Sequence, residues 1–376
     1  KMYEDEIKTR TPRTSFYNCL KNSAKQFYMT NADGHYLFAG YPWFKVRARD
    51  EFIALPGCTL SNHHRPDFEA IMDTAKEAFT RWMETGEPDK HLQGIDLPDV
   101  PLWAAWAIQR YSHDTDVPTA RERYGELVAQ LIDFIIDGKH PNLQVDDNGL
   151  VRTDGTRQPM SWMDSARPDG TPLIPRTGYL VEFNALWYNA LMFLLQMYAD
   201  DKQMQSRVER WQKISDAYAE SFAPTFLNDY GYLYDYVNGS YTDLSVRPNM
   251  VIAVGVDHTP LDRRQRKRIL DFITRELLTP KGLRTLSPNS YGYNPWYVGN
   301  PEQREKAYYS GSARPWLMGF YCHAYVKVFG IGGLSFVNRM MIGFEDEMSQ
   351  GTIGTLSELY DGNPPFIGRG AVSFAA

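Results

Sequence analysis

FEAIMDTAKEAFTRWM, residues 68–83, sets Phe68, Ile71, Met72, Ala75, Phe79, Trp82 and Met83 at spacings of three and four. At 3.6 residues per turn these side chains make one apolar face, so the stretch predicts an amphipathic helix. Outward from it, 101–112, 119–137, 182–199, 203–222, 260–278, 315–329 and 333–348 read the same way, with shorter candidates at 14–28, 50–60 and 247–254. Thr259-Pro260 marks a helix start, and Gly138, Gly330 and Gly351 are placed as stops. Strand signals are confined to short pieces such as GYLYDYV, 231–237. About eleven helices in a near-regular hairpin rhythm predict an all-α fold, an (α/α)6 toroid of six helical hairpins whose twelfth helix is incomplete at Ala376.

No charge run, low-complexity tract or composition shift divides the chain, so 1–376 is read as one domain. Several stretches between helices, 29–50, 86–100, 139–181, 225–246 and 279–314, are long for helix connections. Long loops in a compact domain are usually functional, and these are expected to form a rim at one mouth of the toroid.

Composition narrows the partners. Among 376 residues, 43% are apolar and 23% charged, ordinary globular values, while 14% are aromatic, including 24 Tyr and 9 Trp. A net charge of −6 supplies no basic stripe for nucleic acid. Cys19, Cys58 and Cys322 fall in no CxxC pair, and His63-His64 points two rings apart more often than at one metal. Neither a disulfide framework nor a metal site is expected, and no nucleotide-binding motif calls for an organic cofactor. The longest apolar runs, LIDFII and ALMFLL, are too short to span a bilayer. There is no signal peptide, so the cytoplasm is the expected compartment, although the chain opens at Lys1 and reads as a fragment.

Chemistry is concentrated in Ser161-Trp162-Met163-Asp164-Ser165, which displays a carboxyl beside an indole in a Pro- and Gly-rich loop ahead of a long apolar helix. A glycosidic oxygen leaves poorly unless protonated, and an aromatic neighbour both desolvates a carboxyl and stacks on a sugar ring. The plainer reading is that Asp164 caps a turn.

The run WMD…TPLIPRTGYLVEFNALWYNAL resembles the amylo-alpha-1,6-glucosidase part of bacterial and archaeal glycogen debranching enzymes. So do AGYPWFKVRARDEFIALPGCTL (39–60), SVRPNMVIAVGVDHTPL (245–261), ELLTPKGLRTLSP (276–288), YYSGSARPWLMGF (308–320) and GTLSELYDGNPP (354–365), in the same order. The resemblance runs from about residue 14 to the end, and that family shares its toroid and inverting mechanism with glucoamylases. It implies Asp164 as the acid and Glu358 as the base, with Asp361 in reserve, two carboxyls roughly 6.5–9.5 Å apart. Read alone, Glu358 is better explained as a capping or solvated carboxylate.

The resemblance also implies that Arg49 and Asp50 hold the cleaved sugar, although Arg47, Arg49, Asp50 and Glu51 by themselves look like a solvated face. Asp99 is either a helix N-cap or a sugar contact. A buried Glu182 would need Arg176 as its partner. Arg247, with Asn184, Asn249 and Arg284, completes the polar set, and Trp43, Trp162, Tyr309 and Trp316 are the aromatic candidates. The family's YHQGTVWPWL is replaced by Tyr308 to Leu317, so that Tyr309, Ser310 and Arg314 stand where it has His, Gln and Trp. Its W-x-R-D element here reads Arg47-Ala48-Arg49-Asp50, and its final Gln-Ala-Trp reads Phe374-Ala375-Ala376.

The implied activity is release of glucose from alpha-1,6 branch stubs of glycogen-like glucans, without metal or cofactor, by a fragment lacking an N-terminal domain. Two other readings remain. One is a carbohydrate-binding relative that has lost turnover, motivated by the changed 309–314 loop. The other is a toroid hydrolase of a different alpha-glucoside. Oligomeric state is not legible.

Overall fold

A computed structural model describes residues 15–350 and 353–376. Among these, eleven principal helices follow one another. They are α1 (Phe16–Ala24), α2 (Ala48–Cys58), α3 (Arg65–Thr85), α4 (Val100–Asp114), α5 (Glu126–Ile136) and α6 (Val181–Tyr198), then α7 (Gln205–Phe226), α8 (Met250–Gly255), α9 (Arg263–Glu276), α10 (Met318–Phe329) and α11 (Leu334–Ile342).

Residues 68–83 lie within α3, which has Pro66 in its first turn and ends at Gly86 with φ +74°, a backbone that glycine adopts without a Cβ clash. Gly138 and Gly330 likewise stop helices at positive φ, whereas Gly351 lies outside the described residues. The expected start at Thr259 is displaced. Asp262 caps α9, accepting from Gln265 N–H while the Gln265 side chain reaches back, a reciprocal box that satisfies two end donors at once.

Two layers of helices result. α2, α4, α6, α8 and α10 touch in succession, and α6 is buried on nearly every face, as its almost uninterrupted apolar sequence requires. α3, α5, α7, α9 and α11 pack outside them, for example through Phe52 with Phe79 at 5.6 Å and Phe68 with Tyr111 at 5.1 Å. One apolar core threads all of these contacts.

The tail departs from expectation. Residues 359–360, 368–369 and 373–374 form short strands, and 373–374 pairs antiparallel with Gly40–Tyr41, so the tail does not form the expected twelfth helix. Gly362, Pro364, Pro365, Gly368 and Gly370 explain this, since each is a poor helix residue. Other small ladders lie at 28–31 with 34–37, 144–145 with 151–152, and 179–180 with 236–238, the last within the segment read as strand-like.

One run, Met318–Met348, is long and apolar enough by composition to cross a membrane, which the sequence reading did not expect. It is folded as a hairpin: the chain turns at Gly330 to Gly333, and the Tyr325 and Phe336 rings stack at 4.4 Å.

Candidate functional site

The inner helices begin at one end of the molecule, and the polar residues singled out in the sequence stand at those beginnings. Arg49 and Asp50 open α2, Asp99 precedes α4, Glu182 is in the first turn of α6, Asn249 precedes α8 and Trp316 precedes α10. Helix starts carry unsatisfied N–H groups and the positive end of the helix dipole, so acidic and polar groups are stabilised there.

A pocket at this end is lined by Arg47, Arg49, Asp50, Trp162, Asp164, Tyr308, Tyr309, Arg314, Trp316 and Glu358, with Ile53, Phe374 and Ala376 at its edge. Asp164 is 31% exposed on its side chain and accepts on both oxygens, from Arg47 Nη2 at 2.5 Å and from the Tyr309 hydroxyl at 2.7 Å. Burial pushes its carboxyl up, but Arg47 and Arg49, with the two hydrogen bonds, outweigh this and hold it below the ordinary carboxylate range.

Glu358 is only 3% exposed. It accepts from Arg314 Nη1 at 3.1 Å and from the Ala371 N–H at 2.8 Å. Burial dominates here and pushes the carboxyl up to about 8, against the Ala371 bond. Gly370 makes the fit feasible: it has φ +69°, and a Cβ there would lie 2.4 Å from Glu358 Oε2.

Aromatic rings frame the acids. Trp162 stands edge-on to Tyr309 at 5.3 Å and to Trp316 at 5.1 Å, and its indole N–H donates to Asn249 Oδ1 at 2.7 Å. Arg314 lies over Tyr308 at 4.1 Å and Tyr309 at 4.9 Å, geometry suited to cation–π attraction. Two buried polar atoms keep spare capacity, since Arg314 Nε and Asp50 Oδ2 make no hydrogen bond; Arg47 Nε approaches the latter at 3.3 Å.

Several expected contacts prove to be supports outside the pocket lining. Asp99 stands at the N-cap position without bonding helix N–H groups. Its carboxylate instead takes Arg49 Nε and Nη2 at 2.6 and 2.8 Å and Trp103 Nε1 at 3.2 Å. Arg176 joins Glu182 as the sequence suggested, but also Asp235, through Nε to Oδ2 at 2.6 Å, and Ser161. Arg247 donates to the carbonyls of Tyr309 and Thr285 at 2.7 and 3.2 Å, fixing the loop that carries Tyr309.

Asp361 does not line the pocket. It is wholly buried, held by Arg369 at 2.9 Å and by the Tyr297 N–H at 3.0 Å, which removes its place in reserve. Trp43 is 58% exposed on the surface, outside the pocket lining.

The sequence therefore brings Arg49, Asp50, Trp162, Asp164, Tyr309, Trp316 and Glu358 together. It missed Arg47 and Asp235. A lone acid in the aromatic run GYLYDYV is the signal that could have found Asp235, because a charge inside such a strand needs a buried partner.

Residues 22–375 match the family described as amylo-alpha-1,6-glucosidase. The glycogen debranching enzyme of Saccharomyces cerevisiae is 24% identical over 237 residues, 52% of this chain but only 15% of that protein. The GH63 mannosylglycerate hydrolase of Thermus thermophilus, in complex with glucose, superposes with a TM-score of 0.63 at 14% identity, over 95% of this chain and 97% of its own. An uncharacterized conserved protein of the same organism superposes with a TM-score of 0.60 at 13% identity, over 95% and 97%. At such identities the likeness concerns the fold, a helical one with few small sheets. With a family match that spans nearly the whole chain, this protein belongs to the amylo-alpha-1,6-glucosidase family of glycoside hydrolases.

Proposed function

We propose that the chain is an inverting alpha-glucosidase on a six-hairpin toroid, releasing glucose from alpha-1,6 branch stubs of a glycogen-like glucan. The observation that carries this reading is the convergence of Asp164 and Glu358 on one aromatic-framed pocket with Arg49 and Asp50. Two carboxyls flanking a sugar suffice for single displacement: one protonates the departing oxygen while the other takes a proton from the attacking water.

Asp164 is the proposed acid and Glu358 the proposed base. Trp162, Tyr309 and Trp316 would face the sugar, and Asp50, with its spare oxygen, would accept from its hydroxyls. The Asp99 clasp keeps Arg49 rigid, so orientation is set before substrate arrives.

One observation favours a second reading. Both Asp164 oxygens are met by donors and its carboxyl is held low, while burial pushes the Glu358 carboxyl up to about 8. That distribution suits Glu358 as acid and Asp164 as base.

Alpha-glucosyl fluoride separates the two, because fluoride departs without protonation. With Asp164 as acid, Asp164→Asn loses hydrolysis of a branched limit dextrin but keeps that of the fluoride, and Glu358→Gln loses both. The opposite pattern reverses the roles. Binding of malto-oligosaccharide without release of glucose from any alpha-glucoside would instead establish a binding relative.

A further inference from the structure

We propose that a second carbohydrate site lies in the trough beside Met160 and holds the outer part of a glucan whose end occupies the pocket of Asp164. This deepens the reading given above and rests on it for the identity of the chain's end. The trough has a volume of about 600 Å³. Its position is fixed by a shared wall: Met160 lines it, the Met160 carbonyl accepts from Arg49 Nη2 at 3.3 Å, and Arg49 lines the pocket. Met160 and Asp164 are four positions apart in the sequence, at most about 14 Å of extended chain, a span that a short oligosaccharide covers.

The floor is rigid. Thr153 and Gly178 exchange backbone hydrogen bonds at 3.1 and 2.9 Å, between the 144–145/151–152 and 179–180/236–238 ladders. Gly178 has φ +89°, and a Cβ there would meet Val237 O at 2.3 Å, so this position requires glycine and leaves the floor bare. Thr153 lines the trough, and its side-chain hydroxyl is buried without a hydrogen-bond partner.

The walls present Gln144, Gln158 and Asn238, all exposed. Amides donate and accept, as hydroxyl groups do, whereas an anion only accepts and would face the amide oxygens unfavourably. Among the charged groups here, Arg152 Nε bonds Asp146 at 3.0 Å and Asp154 accepts from the Thr156 N–H at 3.0 Å and its hydroxyl at 2.6 Å, while the exposed Arg157 can donate to hydroxyl oxygens. A neutral polyhydroxylated chain fits that surface. Binding energy gained there would hold the branch end in the pocket.

The double variant Gln144→Ala/Asn238→Ala tests this, since both side chains are exposed and their loss leaves the core intact. Calorimetry with maltoheptaose, which carries no branch to cut, is expected to show affinity about tenfold weaker than the unaltered protein, for two lost hydrogen bonds. KM for a branched limit dextrin should rise similarly while kcat for alpha-glucosyl fluoride is unchanged. Equal maltoheptaose affinity in variant and parent, or no binding by the parent, overturns the trough. Weakened maltoheptaose binding in a protein that releases no glucose would sustain the trough and overturn the hydrolase reading; glucose release with an unchanged KM would do the reverse.

Discussion

Two buried ionic clusters lie side by side at the mouth of the helices and differ in how completely they are satisfied. Around Arg176, Nε, Nη1 and Nη2 all find acceptors on Glu182, Asp235 or Ser161, and Asn249 adds a bond to Asp235 at 2.7 Å. Around Arg47, Asp50, Asp164, Arg314 and Glu358 the pairing is incomplete, with Asp50 Oδ2 and Arg314 Nε left over and Asp164 part-exposed. Arg176 itself has nothing left to offer a ligand, although Arg247 Nε, 3.9 Å from Asp235 Oδ2, makes no hydrogen bond; the first cluster serves as a foundation. The second retains capacity at the cost of desolvated groups, the pattern expected where binding or proton transfer occurs.

The largest expected effects separate these two roles. Asp164→Asn should lower hydrolysis of a limit dextrin by ~10²–10⁴-fold, with thermal stability close to that of the parent, because the amide keeps the shape of a part-exposed group. Arg176→Ala should act oppositely, since it strips buried Glu182 of its ionic partner and leaves buried Asp235 with only Asn249 and the more distant Arg247. A loss of about 3–5 kcal/mol by denaturant titration is expected. A mild stability loss with abolished turnover would show that the foundation is part of the chemistry.

This contrast was only half legible in the sequence. Helical period is a local signal, so α3 and the start of the 182–199 run stand out at once, and Arg176 with Glu182 lies within one short stretch. Arg47 with Asp164 and Tyr309 with Asp164 join residues 117 and 145 positions apart. Nothing in Arg47-Ala48-Arg49-Asp50 distinguishes a solvated face from a pocket wall. The tail was misread for a related reason: two-residue strands carry no period, and only their pairing with Gly40–Tyr41 defines them.

A smaller effect is expected at the hinge between backbone and pocket. Gly370→Ala puts a side chain into φ +69°, at a cost of about 1–3 kcal/mol, and drives its Cβ against Glu358 Oε2, 2.4 Å away. Stability and kcat should fall together, unlike either variant above. Unchanged kcat would mean that the Glu358 position is not critical.

The last expected effect is a slope. Glu358 is raised to about 8 in the folded chain by burial, whereas an unfolded glutamate titrates near ~4.3. Between those values the folded state binds the proton that the unfolded state has released, so stability from this group is complete below the unfolded value. It declines as pH rises through the window, by no more than about 1.4 kcal/mol per pH unit, and levels off above the folded value. Glu51, also buried and raised to about 8, contributes in the same direction, so the slope of the parent alone cannot be assigned to either residue. Glu358→Gln removes one contribution and leaves the other. The stability of the variant relative to the parent should therefore increase from pH 5 to pH 8 in urea titrations, approximate values set by the same window. A difference that is flat across the window would mean that Glu358 is ionised in the folded chain at neutral pH, which would remove the observation favouring it as the acid and leave that role to Asp164.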